Sequence, residues 1–381
     1  MEPSAYHTES CLPIFRYIDG NFEDYIKDAI AICEVPAPTF EEHNRASHFA
    51  ERLLHYGITS TVDEVGNVRA QIAEGGRPRV VLSAHLDTVF PFKAISVTRE
   101  NTILRAPGIA DDSAGLSALL LLGRAFLRFP RTKGSLILLA TVGEEGLGNL
   151  RGARHFFSHH DEIDYFISLD GSDAQRIVTQ GLASKRLRIF FRGPGGHSWA
   201  DSGTSNPVYT AAEFLLQIKR LDLPLKPKTT INAGVLRGGT SVNAIPAEVS
   251  LDMDLRSESA DQLIRLLDGI ERNLDFIKSQ DKEIQYEIVP LGDRPAGAIR
   301  NDHPMALLAA AASEYFAMSV QFVSGSTDCN IPLSIGIPAL SFGVGGRCGK
   351  IHTPHEWYDY HGGETGLKRT ALLVSELLEA K

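Results

Sequence analysis

The chain has 381 residues, of which 43% are hydrophobic and 22% charged, and its formal net charge is -9. That length suits two domains with sizeable apolar cores, so neither disulfides nor metal is needed merely to fold. The acidic balance argues against nucleic acid as a partner, because no basic excess is present to neutralise phosphates.

The first sixteen residues carry Glu2, His7 and Glu9 and no apolar run, which predicts neither a signal peptide nor a membrane span. The longest apolar block, residues 116–122, is too short to cross a bilayer. Cys11, Cys33, Cys329 and Cys348 are scattered without CxxC spacing, as expected of unpaired thiols in a reducing, cytoplasmic compartment. Helices are predicted at 22–34 and 41–56, separated by Pro36 and Pro38. Strands follow at 60–63, 68–72 and 80–83, then a helix at 115–129. A buried strand at 135–141, a helix at 149–158 and a buried strand at 165–169 complete the first half. Continuous apolar strands alternating with helices imply an α/β sheet covered on both faces.

The pattern changes near Gly181. Strands at 184–191, 229–236, 247–256 and 282–289 interleave with helices at 207–220 and 260–279. The order β-α-β-β-α-β is that of a small ferredoxin-like sandwich. After Gly292 the first style resumes, with a helix at 304–316, strands at 321–323 and 339–342, and a closing helix at 364–380. The chain is therefore read as an α/β domain, residues 1–182 and 292–381, interrupted by an inserted α+β ferredoxin-like domain at 183–291.

The residues that carry chemistry stand where apolar strands run out, the place where open α/β sheets bind ligands. Val80 to Ala84 leads into His85-Leu86-Asp87; the neutral imidazole can bind zinc while the nearby acid orients the ring. Gly108-Ile109-Ala110-Asp111-Asp112 precedes a helix, where acids are ordinarily caps. Leu138 to Val142 ends in Gly143-Glu144-Glu145, adjacent acids that repel unless a cation is near. Phe166 to Leu169 ends in Asp170, and His352 follows a glycine-rich turn. Singly, each has a commonplace reading as a helix cap, a solvated loop acid or a strand-end charge. Together they form the mixture of imidazole and carboxylate that zinc prefers. One ion could take His85, Asp111 and Asp170, and another Asp111, Glu145 and His352, with Asp111 between them.

The set Ser-Ala-His-Leu-Asp-Thr-Val, Gly-Ile-Ala-Asp-Asp-Ser-Ala-Gly, Gly-Glu-Glu-Gly and His-Thr-Pro-His-Glu, in this order, resembles the di-zinc peptidase family of carboxypeptidase G, aminoacylase and peptidase T. The resemblance extends over essentially the whole chain. It implies a zinc-peptidase-like catalytic domain with an inserted lid or dimerisation domain. It implies two zinc ions per subunit, with cobalt or manganese as substitutes, on His85, Asp111, Glu145, Asp170 and His352. Asp87 would support the His85 site, Glu144 would be the general base, and the Asp111–Asp112 peptide would be cis. Glu356 takes the Glu position of the His-x-x-x-Glu pattern that begins at His352.

In the inserted domain, Gly195-Gly196-His197-Ser198 resembles the segment whose His polarises the scissile carbonyl across a homodimer. Asn243 and Arg256 resemble residues that bind the substrate, and Arg256 has the planar fork suited to a carboxylate. The loop Ser324-Gly325-Ser326-Thr327-Asp328 resembles another that faces substrate. Asp170 followed by Gly171 looks more like the tripeptidase branch than the deacylases, where Glu is usual.

The expected activity is hydrolysis of an amide bond in a small peptide, exopeptidase type, with no membrane or nucleic acid involved. The alternatives are an N-acyl amino acid deacylase with the same site, a catalytically silent metal-binding scaffold, and a two-metal phosphatase. The last leaves His197 and Arg256 without a role.

Overall fold

The computed structural model describes residues 8–72, 75–131, 133–160 and 162–380. The first seven residues, part of the stretch read for targeting signals, lie outside these. The chain divides into two compact units, Met1–Gly181 with Gly297–Lys381, and Leu182–Ala296.

The first unit is built on a mixed sheet. Its strands lie in the order Thr61–Val62, Val68–Gln71, Gly134–Thr141, Gly76–His85, Tyr165–Leu169, Ala339–Phe342, Arg176–Gly181, Gly297–Ala298, and Gln321–Gly325 also pairs with Arg176–Gly181. The four central strands, from Gly134–Thr141 to Ala339–Phe342, are mutually parallel. Every residue of Gly134–Thr141 and of Ala339–Phe342 is buried, as a parallel strand covered on both faces requires.

The two faces feed two cores, and the period-2 alternation of strand side chains assigns the residues. Val80, Leu82, Ala84, Leu136, Leu138 and Ala140 pack with residues of helices Phe22–Cys33, Ala114–Arg128 and Gly363–Glu379. Val81, Ile137 and Leu139 pack on the other face with Ala153, Phe156 and Phe157 of helix Arg151–His159.

Two parts of this unit lie outside the elements expected. Helix Thr8–Gly20 buries Cys11, Ile14, Phe15 and Ile18, a spacing of three, one and three that is itself a helical stripe. A separate four-stranded sheet runs Arg347–Gly349, Trp357–Asp359, Ile103–Arg105, Thr98–Glu100. Its strands are three residues each, too short for a periodic signal. Its effect is to lay the turn of residues 350–356 beside the segment that leads to Asp111: Trp357 pairs with Arg105, and the Ala106 amide donates to the Glu356 carbonyl at 3.2 Å.

The second unit runs Ala183–Arg192, helix Pro207–Ile218, Thr229–Gly238, Glu248–Ser257, helix Ala260–Gln280, Gln285–Arg294. The antiparallel sheet has the ferredoxin-like order Thr229–Gly238, Glu248–Ser257, Ala183–Arg192, Gln285–Arg294. Both helices start on built caps: Asn206 accepts from the Val208 amide with Pro207 behind it, and Ser259 accepts from the Gln262 amide. Leu187, Ile189, Phe191, Leu251 and Met253 face Phe214, Ile270 and Leu274 of the helices. The last strand outruns the expected 282–289. It continues past a register shift between Pro290 and Gly292, and as an edge strand it tolerates a proline that an interior strand would not. The unit accordingly ends at Ala296, a few residues beyond 291.

Among the described residues no helix is long and apolar enough to cross a membrane, and the four cysteines are unbridged.

Candidate metal centre

The carboxyl ends of three adjacent parallel strands deliver the first side chains. His85 is the last residue of Gly76–His85 and pairs in register with Thr141, while Ser83 pairs with Ser168. Asp170 follows Tyr165–Leu169 directly, and Glu144 and Glu145 lie just past Thr141. Gly143, φ 66°, makes the turn between them; a side chain there would be strained and would meet Arg151. Asp111 and Asp112 lie in a kinked turn over Ile109–Ser113, opened by Gly108 at φ 77°, and the peptide between them is cis. His352, itself left-handed at φ 62°, is carried by the turn between Arg347–Gly349 and Trp357–Asp359.

His85, Asp111, Glu145, Asp170 and His352, the five expected ligands, converge. Asp111 Oδ1 lies 2.9 Å from His85 Nε2, and its Oδ2 lies 3.1 Å from His352 Nε2. His352 Nε2 is also 2.8 Å from Glu145 Oε1. Two trios, His85 with Asp111 and Asp170, and Asp111 with Glu145 and His352, each offer ligand atoms within 4.8 Å of one another; a third joins His85, Glu144 and Glu145. Two zinc ligands in a tetrahedral site stand about 3.4 Å apart, so trios of this size fit the ion, and the nitrogen and oxygen donors fit its preference.

Behind these side chains stands a layer of buried carboxylates that hold backbone. Asp87 was expected to support His85. Its main-chain carbonyl lies 3.0 Å from His85 Nδ1, whereas its carboxylate is 3.7 Å away and is directed elsewhere. The carboxylate accepts from the Glu144 amide at 2.9 Å, the Glu145 amide at 3.0 Å and the Thr39 hydroxyl at 2.8 Å. Asp112 accepts from the amides of His85, Gly115 and Gly171 at 3.0, 3.2 and 3.4 Å. Glu356 accepts from the amides of Gly108, Ala110 and Asp111 at 3.0, 2.8 and 3.0 Å. Every segment that carries one of the five, apart from the His352 turn on which Glu356 itself sits, is thus tied by a buried acid. Asp112 keeps the helix-cap reading, through the Gly115 amide, and adds amides distant in the chain; Glu356 had only its place in the His-x-x-x-Glu pattern, and Thr39 had no reading from sequence. An acid at the start of a helix was the available signal for Asp112; for Thr39 and Glu356 only the fold brings the partners together.

The electrostatics follow from this crowding. Burial would lower the His85 imidazole, but the Asp111 hydrogen bond and the charges of Asp112, Asp111 and Glu144 raise it well above its ordinary range. Hydrogen bonds to Asp111 and Glu145 push His352 up to about 10. Burial would raise Asp111, yet the hydrogen bonds from His352 and His85 outweigh it and hold the carboxyl low. Burial, then the Asp111 charge, carries Asp170 well above the carboxylate range. The cluster therefore holds protons that a bound cation would displace.

Asp328, in the loop read as facing substrate, is buried; its Oδ2 accepts from Thr141 at 2.5 Å. Burial, then the Glu144 charge, pushes it up to about 7.

The candidates of the second unit are held differently. His197 is exposed and pairs with Ala244 in a short ladder. Its Nδ1 accepts from the amides of Trp199 at 3.2 Å and Ala200 at 3.3 Å. In a neutral ring this leaves the proton on Nε2. Asn243 is also exposed; its Oδ1 accepts from Ser241 at 2.5 Å and its carbonyl from the Ser198 amide at 3.0 Å. Arg256 is partly buried and donates from Nε to Asp254 at 2.7 Å.

The sequence model of peptidase family M20/M25/M40 matches residues 81–380. A peptidase M20 domain-containing protein of Schizosaccharomyces pombe is 28% identical over 275 residues, 67% of this chain and 65% of the relative. The match thus spans slightly under two thirds of that curated relative's length. Two solved structures share the fold. A tripeptidase from Staphylococcus aureus has a TM-score of 0.79 at 20% identity, and aminopeptidase PepT from Bacillus cereus has 0.76 at 19%. Each comparison covers 93% of this chain and 98% of the other.

Proposed function

The chain belongs to peptidase family M20/M25/M40 and is a hydrolase, and from that premise we propose that it cleaves the amide bond of a small peptide, as an exopeptidase with two zinc ions. The observation that carries the reading is Asp111, whose two oxygens each meet a different imidazole, with a further carboxylate completing each trio. His85, Asp111 and Asp170 would hold one ion, and Asp111, Glu145 and His352 the other. Bound there, the ions supply a water of lowered pKa and a Lewis acid for the amide carbonyl.

The rest falls to the chain's own side chains. Glu144 takes the proton of the attacking water at its carboxylate and returns it to the leaving nitrogen. Support for this comes from its grouping with His85 and Glu145, and from its amide being pinned by Asp87. Asp87 accepts from both amides and so holds the main chain of Glu144 and Glu145 together. His197 donates from Nε2 to the carbonyl oxygen as charge gathers there. Asn243 and Arg256 bind the substrate's carboxylate.

We assign His197 to act across a homodimer formed through the unit Leu182–Ala296. Strand Thr229–Gly238 supports this: it is an edge strand exposed along most of its length, with main-chain groups available to a second copy. A cytoplasmic location is part of the same reading, on the unbridged cysteines.

The test is a panel of dipeptides, tripeptides and N-acyl amino acids, assayed for free-amine release after chelation and after zinc is restored. Zinc-restored cleavage of peptides is expected. Cleavage confined to N-acyl amino acids would replace peptidase with deacylase, and release unaffected by chelation would remove the metal reading.

A further inference from the structure

Arg45 lies on helix His43–His55, outside the residues matched by the family model, and its side chain is 0% exposed. A guanidinium taken out of water needs both hydrogen-bond acceptors and nearby negative charge. Its acceptors are main-chain carbonyls from two parts of the fold. Nε donates to Val35 at 2.8 Å, Nη2 to Cys33 at 3.4 Å and Nη1 to Leu86 at 3.0 Å. Cys33 ends helix Phe22–Cys33 and Val35 follows it. Leu86 stands between His85 and Asp87.

Burial lowers the Arg45 guanidinium, and besides the Cys33 thiol the charges of Asp87, Asp112 and Glu356 offset this only in part. These are the three carboxylates that accept from amides of the candidate ligand segments: Glu144 and Glu145 for Asp87, His85 for Asp112, and Asp111 for Glu356. By geometry, Arg45 grips the main chain between a candidate ligand, His85, and one of those acids, Asp87.

We infer that Arg45 is a positioning residue for the metal centre, fixing through the Leu86 carbonyl the main chain between His85 and Asp87. The inference rests on the metal reading above. The planar fork matters as much as the charge, because it spans carbonyls at fixed angles. A lysine ammonium, a single point on a flexible stem, would keep the charge and lose the span.

The experiment compares the parent with Arg45→Lys and Arg45→Met, measuring the zinc dissociation constant by chelator competition, thermal unfolding of the metal-free protein, and kcat and KM. Arg45→Lys is expected to lose roughly tenfold in zinc affinity and in kcat, and Arg45→Met more, the scale for groups that orient metal ligands. KM should stay within about threefold of the parent, since no substrate contact is removed. A residue that only stabilises the fold would lower the unfolding temperature and leave zinc affinity and kcat within about twofold of the parent, and that result overturns the inference. Should Arg45→Met fail to fold, Arg45→Lys decides on the same criteria. A parent that binds no zinc would overturn the metal reading, and this inference with it, before any variant is compared.

Discussion

In the sheet-based unit Asp87, Asp112 and Glu356 are buried, and each accepts two or more amide hydrogen bonds from segments distant in sequence. In the unit Leu182–Ala296, His197 and Asn243 are exposed, and their side chains accept from residues of their own turns. The first arrangement fixes side chains before any ligand arrives, which suits a site that must impose coordination geometry. The second leaves side chains open to solvent, which suits contact with a substrate that comes and goes. Substitutions in the two units should therefore fail in different ways.

The largest effect is expected at Glu144. Glu144→Ala should lower kcat by about 10²- to 10⁴-fold, the range for removing a general base, with zinc content unchanged; an active variant would refute its role. His197→Ala should reduce kcat by roughly 10²-fold, the scale for one donor to an oxyanion, with zinc affinity untouched. If His197→Ala lost zinc, the division between the units would fail. Asp87→Ala should do what neither of these does. It removes the acceptor for two amides and a hydroxyl, so it should cost about 2–4 kcal/mol in denaturant unfolding and weaken zinc binding as well.

A further effect concerns pH. In the metal-free chain His352 is held up to about 10 by Asp111 and Glu145. Its folded value lies above the ordinary imidazole value near 6.5, so the protonated ring stabilises the metal-free fold fully below that pH. This contribution is lost as pH rises through about 10. Zinc must displace that proton, so its apparent affinity should rise about tenfold per pH unit for each proton released between pH 6.5 and 9. Calorimetric titrations at several pH values check this; a flat profile would mean that the ion does not displace the His352 proton.

The fold and the site were legible to different depths. The buried strands at 135–141, 165–169 and 339–342 stood out because parallel strands covered on both faces are apolar throughout. Carboxylate and imidazole side chains then appear where such strands end, which is how His85, Glu145 and Asp170 were found. The helix over Thr8–Gly20 was legible from its apolar spacing but was read only for targeting signals. The three-residue strands around Arg347–Gly349 and Ile103–Arg105 carried no pattern to read. The partners of Asp87, Asp112 and Glu356 were illegible for another reason. Each bonds amides far away in the chain, and strand register, not local sequence, brings them together.

The most direct test of the two-ion account is a zinc titration of the metal-stripped parent beside Asp111→Ala. Asp111 is the residue common to both trios. The account predicts two ions bound per parent chain and loss of tight binding at both positions in the variant. A variant that still binds two ions as tightly as the parent would contradict it.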